Sequence, residues 1–267
     1  MGKLMRAEFF RAFHNKIYIA SIGVGLLICI WHFWENVYPL KDYVYTAQYP
    51  LSSFAKWLGG DNSSLQPVLY YLLVPILCAL PYAGSYFSDI KTGYVKQVLI
   101  RSKKKDYLRS KYIMTFITGA TVSAVPLALD FVLTGMVLPA VIPQSGTGIF
   151  GGAPKMLMAD LFYTHPYCYL FLYLILDAVF FGLLTTIALL AAHLTENRFL
   201  VILMPFLCYL FIFSVSQMTG AVQLSPFGFL RPSQPVFSTW RIVAGELLLL
   251  VLGGGIFLYV STKKEIL

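Results

Sequence analysis

Residues 166–193 read PYCYLFLYLILDAVFFGLLTTIALLAAH, an apolar run with one charged side chain, Asp177. About 20 mostly apolar residues are enough to cross a hydrocarbon core ~30 Å thick, so this run reads as a membrane span. Five more such runs lie around it, at about 17–35, 66–87, 112–138, 199–216 and 242–260. Bulk composition agrees with them. Of 267 residues, 58% are hydrophobic and only 12% charged, against about 25% charged in an average soluble domain. Six spans use roughly 120 to 140 residues, which leaves short loops and no room for a separate soluble domain. The expected fold is an all-α polytopic membrane protein, a single transmembrane domain over residues 1–267.

Orientation follows from the cations. With the N-terminus inside, Lys3, Arg6, Arg11, Lys16, Lys91, Lys96, Arg101, Lys103, Lys104, Lys105, Arg109, Lys111, Arg198, Lys263 and Lys264 fall on the inner side. Lys41, Lys56, Lys155, Arg231 and Arg241 fall outside, so fifteen of the 20 cations are inner. That bias is the positive-inside pattern, and it places both termini in the cytoplasm. The net charge of +8 is thereby a topology signal rather than a nucleic-acid footprint. The first run has no small-x-small cleavage site and ends in Trp31, His32, Phe33 and Trp34, so it reads as an uncleaved span with an interfacial aromatic anchor. Cys29, Cys78, Cys168 and Cys208 form no C-x-x-C pair and read as small buried hydrophobes. His32, His165 and His193 read as single interfacial residues.

Two segments at the inner face carry more pattern than charge. Over residues 3–16 a helical wheel gathers Met5, Phe9, Ala12 and Phe13, with Phe10 beside them, while Lys3, Glu8, Arg11, His14 and Asn15 lie opposite and Arg6 sits near the apolar edge. Such a helix should lie in the membrane interface. Between the second and third spans, residues 88–111 begin with Asp89, which is expected to carry the span into water. They then break at Gly93 and place Tyr94, Val95, Val98 and Leu99 at helical spacing before a basic cluster. An exposed apolar stripe there would dock a protein partner.

These two segments together resemble permease subunits of ATP-binding-cassette exporters of the type-2 family. The resemblance implies an N-terminal elbow helix over 3–16 that includes Met5, Arg6, Phe9, Phe10 and Phe13. It implies an ATPase-coupling helix that uses Asp89, Gly93, Tyr94, Val95, Val98 and Leu99, and a short outer re-entrant segment at 217–240. The chain itself has no G-x-x-x-x-G-K-[ST] sequence, the nearest cluster being Gly151-Gly152-Ala153-Pro154-Lys155. The resemblance therefore implies two separate ABC ATPase subunits, with ATP and Mg bound there and no cofactor on this chain. It also implies a second permease subunit, identical or homologous, and no enzymatic chemistry on the permease itself.

Three acids lie in the spans: Asp130, Asp177 and Glu246. Ionisable groups at membrane depth are costly and mark translocation paths by default. A plainer reading puts Asp130 and Glu246 near the outer interface, paired with Arg241 or hydroxyls. No serine, histidine and carboxylate grouping points to hydrolysis, and nothing clusters as a metal site. The leading expectation is an ATP-driven exporter permease, in the cell membrane, for an amphipathic cargo such as an antimicrobial peptide, drug or lipid. A proton-coupled secondary transporter using Asp177 or Asp130, or a non-transporting anchor or sensor subunit, are the alternatives. Gly253-Gly254-Gly255 and Gly23-x-Gly25 are expected to let helices pack closely.

Overall fold

The computed structural model describes residues 2–44, 51–143, 157–232 and 238–263. Lys155, expected outside, Lys264, expected inside, and residues 233–237 of the expected re-entrant segment lie outside that description, as does the Lys3 side chain. Helices are α1 (Gly2–Phe13), α2 (Lys16–His32), α3 (Ser53–Lys56), α4 (Leu65–Ala79), α5 (Ser85–Lys91) and α6 (Tyr94–Leu99). They continue with α7 (Lys104–Val137), α8 (Ala159–Thr164), α9 (Pro166–Ala191), α10 (Arg198–Met218), α11 (Pro226–Phe229) and α12 (Trp240–Lys263). No strand occurs among the described residues.

Five helical stretches are long and apolar enough to cross a membrane: Lys16–Tyr43, Lys104–Val137, Pro166–Ala191, Arg198–Met218 and Trp240–Lys263. The chain is a multi-pass membrane protein by that criterion. The expected second span is not one continuous helix. It ends at Ala79, turns through Leu80–Gly84 and restarts as α5. Pro81 supplies no backbone N–H for continued helix, and the amide of Asn15 donates to the freed Pro81 carbonyl at 3.0 Å. The 15-residue α4 is shorter than a span needs, yet it is central, packing against α2, α7, α9 and α10.

Two other boundaries also move. The first helix continues beyond Trp34 through a π-helical turn (Phe33–Val37) and a 3-10 turn (Tyr38–Tyr43), where the Trp34 and Tyr38 rings stack at 4.9 Å. The basic cluster Lys104, Lys105, Arg109 and Lys111 is not loop but the first two turns of α7.

The core lies along α7 and α9, where two glycines bring the backbones together. A Cβ on Gly119 would stand 2.6 Å from Thr185 Oγ1 and 3.2 Å from the Gly182 Cα, so only the smallest residues permit the contact. Of the expected glycine contacts, Gly25 abuts Pro126 and Gly254 abuts Tyr112, whereas Gly23, Gly253 and Gly255 face open space. Cys29 and Cys78 are buried as expected, but Cys168 is exposed. The outward faces of α10 and α12 carry Leu207, Phe211, Leu248, Leu252 and Ile256, an apolar exterior suited to lipid.

Contacts collect α1, α5, α6, the start of α7 and the end of α12 at one end of the bundle. Lys104 Nζ donates to the Thr262 carbonyl at 3.0 Å, and Lys91 lies 3.8 Å from Glu196 in the turn between α9 and α10. We call this the basic end. The Lys56–Asp61 pair (3.5 Å) lies at the opposite end, with His32.

Candidate functional site

At the basic end, three buried charged side chains, the partly exposed Arg11 and two tyrosines form one knot. Lys111, fully buried on α7, places Nζ 2.9 Å from Glu8 Oε2 on α1 and 2.7 Å from Asp89 Oδ2 on α5. Arg11 donates to Asp89 Oδ1 at 2.7 Å and to Glu8 at 3.3 Å. Tyr107 donates to Asp89 at 2.9 Å, and the Tyr82 hydroxyl bonds Glu8. Two carboxylates meet two cations, so the burial cost of each charge is offset by a partner and by hydrogen bonds. Burial alone would raise the Asp89 carboxyl, but the bond from Arg11 and the Lys111 charge hold it below the ordinary carboxylate range. Arg11 loses by partial burial and gains more from Asp89 and Glu8, which strengthen its hold on the proton.

The knot revises the expected elbow. Glu8, placed on the polar side of the wheel, is 1% exposed and faces the bundle with Ala12, while Phe9 and Phe10 point outward. Lys111 supplies the reason, since a buried cation between α1 and α5 recruits the nearest acid. Met5 and Phe13 are half-buried and Arg6 is exposed.

A short helix, α6, forms where the coupling segment is expected, after a left-handed Gly93 (φ 73°). Its orientation is corrected in two ways. Asp89 does not lead into water; it is 2% exposed, inside the knot. The apolar stripe turns inward as well. Val95 is buried, and Val98 and Leu99 pack with Tyr86, Tyr107, Leu108 and Phe257. Tyr94 lies under the Arg11 guanidinium at 4.7 Å. Apolar side chains bury where a neighbouring bundle offers apolar surface, leaving Lys96, Gln97, Arg101 and an 84% exposed Ile100 on the outside of the segment.

At the opposite end His32, expected as an interfacial residue, is buried between two acids. Its Nδ1 lies 3.3 Å from Asp130 Oδ1 and its Nε2 lies 3.4 Å from Asp61 Oδ2. Both ring nitrogens face carboxylate oxygens, an arrangement an imidazolium satisfies by donating twice. The Leu58 amide donates to Asp130 Oδ2 at 2.5 Å. Asp61 accepts from the Ser63 and Ser64 hydroxyls, each at 2.6 Å. Burial opposes the Asp61 charge, yet His32 and these hydroxyls keep its carboxyl far below the ordinary range. Asp130 is thus paired with His32 and not with Arg241, which is exposed.

Asp177 and Glu246 differ in kind. Among the described residues, Asp177, fully buried in α9, accepts one bond, from the Tyr71 hydroxyl at 2.9 Å, while Oδ1 has no partner. Glu246 Oε2 on α12 has none either, nor has the Tyr209 hydroxyl nor Arg231 Nε. The outer segment expected at 217–240 contributes here. It forms a 3-10 turn (Val222–Leu224) and α11, sets Phe229 5.8 Å from Phe180, and buries Arg231 over the Phe227 ring at 5.1 Å.

The structure therefore joins Asp89 to the elbow and brings His32 to Asp130, but it leaves Asp130 apart from Asp177 and Glu246. Missed in the sequence were Lys111, Glu8, Tyr82 and Tyr107 as one unit, and the Asp61–His32–Asp130 line. Ser63 and Ser64 just after Asp61 are a local carboxylate-capping signal; nothing local pairs Glu8 with Lys111.

The fold and these sites define a multi-pass helical membrane protein with ion-bridged ends. Residues 26–140 match a family model described as a protein of unknown function (DUF2705). That match takes in His32, Asp61, Asp89, Lys111 and Asp130, and ends before Asp177 and Glu246. Neither the curated proteins nor the solved structures contain a match to the chain.

Proposed function

We propose that this chain is the membrane-spanning permease subunit of an ATP-driven exporter of the ABC type, working with two ATPase subunits and a second permease. In this reading α4 and the first residues of α5, to about Phe87, make the sixth crossing, and Asp89 begins the cytoplasmic segment. The basic end faces the cytoplasm of a bacterial-type cell membrane, following the cation bias. The carrying observation is the Lys111 knot. It fastens α5, and through Tyr94 also α6, to the elbow α1 and to the long helix α7. A push on the α5–α6 segment from below would thus move α1 and α7 as one body, the rigid-body device that alternating access requires. ATP and Mg would sit on the partner, and this chain would do no chemistry of its own.

The test is copurification with the ATPase of a neighbouring reading frame, followed by ATP turnover. Gln97→Glu combined with Ile100→Asp and Arg101→Glu changes only the outward face of the segment. The expected result is loss of the complex or of its stimulated turnover with the permease still folded. A fully active complex carrying all three changes would remove the coupling assignment. The inward residues Val95 and Leu99 are poor probes, because changing them unpacks the bundle.

A second reading, a proton-coupled secondary transporter, is favoured by one observation: the fully buried Asp177 with a single partner. It requires pH-driven transport by the chain alone, abolished by Asp177→Asn. Asp130 supports it less, since His32 and the Leu58 amide already satisfy that carboxylate.

A further inference from the structure

Beside the knot, at the break between α4 and α5, lies a cavity of about 340 Å³ with Arg11, Asn15, Gly84, Ser85 and Arg198 in its wall. Its size is at the lower end of the roughly 300 to 1,000 Å³ usual for small-ligand pockets. Arg198 stands against the turn, since a Cβ on Gly84 would lie 3.3 Å from its Nε. Among the described residues no acid pairs with it; Glu196, close by in sequence, is exposed and lies 3.8 Å from Lys91. Arg11 is matched by Asp89 and Glu8 inside the knot, where two cations meet two acids. The pocket therefore keeps one uncompensated guanidinium, whose fork of N–H donors suits phosphate oxygens. Asn15 adds a donor, because it gives one amide hydrogen to the Pro81 carbonyl and has a second. The depth is also set. Asn15 caps α2, Arg198 opens α10, and α4 ends just before Leu80, so three apolar helices begin or end at the pocket, at headgroup level. Leu80 in the wall is exposed, as are Ile17 and Phe199 close in sequence to Asn15 and Arg198, which gives an acyl chain an apolar path away from the arginine.

We propose that this pocket takes a phosphate group, held by the Arg198 guanidinium and the Asn15 amide beside the turn between α4 and α5. The proposal goes beyond the permease reading and needs no ATPase. Two sources share that chemistry: the headgroup of an anionic phospholipid in the adjoining leaflet, and free phosphate in the water at that end.

The test uses the full chain in dodecylmaltoside micelles, which carry no phosphate. It measures saturable retention of radiolabelled dioleoylphosphatidylglycerol, with dioleoylglycerol as the counterpart that lacks the phosphate. Losing a charge-assisted bond is expected to weaken binding about tenfold or more in Arg198→Gln, and less in Arg198→Lys, which keeps the charge but not the fork. Arg198 is exposed and unpaired among the described residues, so neither change should lower the melting temperature. Arg109→Gln makes the same change at an exposed position of α7 outside the pocket and should bind as the parent does. Equilibrium dialysis with radiolabelled inorganic phosphate separates the sources. Phospholipid retention that depends on Arg198 and survives excess phosphate assigns the site to the headgroup; phosphate binding that depends on Arg198 assigns it to the free ion. Binding of both probes unchanged in Arg198→Gln, equal retention of dioleoylglycerol, or an Arg109→Gln variant weakened as much overturns the proposal. So does a chain that binds neither probe. None of these results bears on copurification with an ATPase, so the two readings fail separately.

Discussion

The basic-end knot and the Asp177–Glu246 region solve the problem of charge in an apolar bundle in opposite ways. In the knot every charge has a partner: Lys111 touches Glu8 and Asp89, and Arg11 touches both acids as well. Around α9 and α12 the polar groups are starved, with Asp177 Oδ1, Glu246 Oε2, Tyr209 Oη and Arg231 Nε all unpartnered among the described residues. A saturated network holds elements in one arrangement, whereas open valences are places where something else can bind. The first is therefore expected to govern stability, and the second to be nearly silent in stability and loud in activity.

The largest effect should come from Lys111→Met. It leaves the buried Glu8 and Asp89 facing only the partly exposed Arg11, and breaking a buried pair from one side costs about 3 to 5 kcal/mol. Thermal unfolding of the detergent-solubilised chain should fall sharply, and much of the loss should return when Glu8→Gln and Asp89→Asn are added. A Lys111→Met protein that melts like its parent would reduce the knot to an incidental contact.

Next comes His32→Leu at the opposite end. The ring is fully buried between Asp61 and Asp130, so its removal sets two carboxylates facing an apolar gap. Asp61 keeps its serine hydroxyls and Asp130 keeps the Leu58 amide, which limits the loss to about 2 to 3 kcal/mol. Adding Asp130→Asn should recover part of it in the same melting assay.

A smaller effect is expected from acid. Asp89 titrates below its ordinary range in the folded chain, so its contribution is complete above the unfolded carboxylate value near pH 4 and disappears as pH falls through the lower folded value. Melting temperature should stay level from about pH 8 to pH 5 as far as this group is concerned. In Asp89→Asn, whose starting stability is lower, the decline below pH 4 should be shallower. An equally steep decline in that variant would show that the acid sensitivity lies elsewhere.

How much of this was legible in the sequence differs between spans and knot. Hydrophobic runs gave the spans because transfer into lipid is a local, additive property of about 20 residues; 166–193 against Pro166–Ala191 is the clearest case. The second run is interrupted by Pro75 and Pro81 in the sequence; α4 passes through Pro75 and ends just before Pro81, a distinction a hydropathy window cannot draw because it is blind to a missing N–H. The wheel for residues 3–16 gave the helix and its inward Ala12, with Met5 and Phe13 beside it, but it set Glu8 on the polar side, since a wheel ranks Glu8 by its own polarity and cannot see Lys111, which lies 103 residues away in sequence. The same blindness turned the α6 stripe outward. Its apolar residues were identified correctly, but the surface that receives them, Tyr107, Leu108 and Phe257, is built by other helices.

The smallest stability effect, and the sharpest contrast, belongs to Asp177→Asn. The carboxyl is as fully buried as Lys111, yet it accepts one bond where Lys111 makes several. Asparagine keeps an acceptor for the Tyr71 hydroxyl and removes an acid that no cation faces among the described residues. By the reasoning that makes Lys111→Met severe, this change should shift stability by less than about 1 kcal/mol, and in the stabilising direction if at all. The same melting assay compares it with Asp89→Asn, a chemically identical change at a partnered acid, which should cost more than about 2 kcal/mol. If the two variants melt together, the division into a saturated end and a starved interior is wrong. If they separate as expected, any loss of transport in Asp177→Asn cannot be laid to unfolding, and the carboxyl itself becomes part of the path.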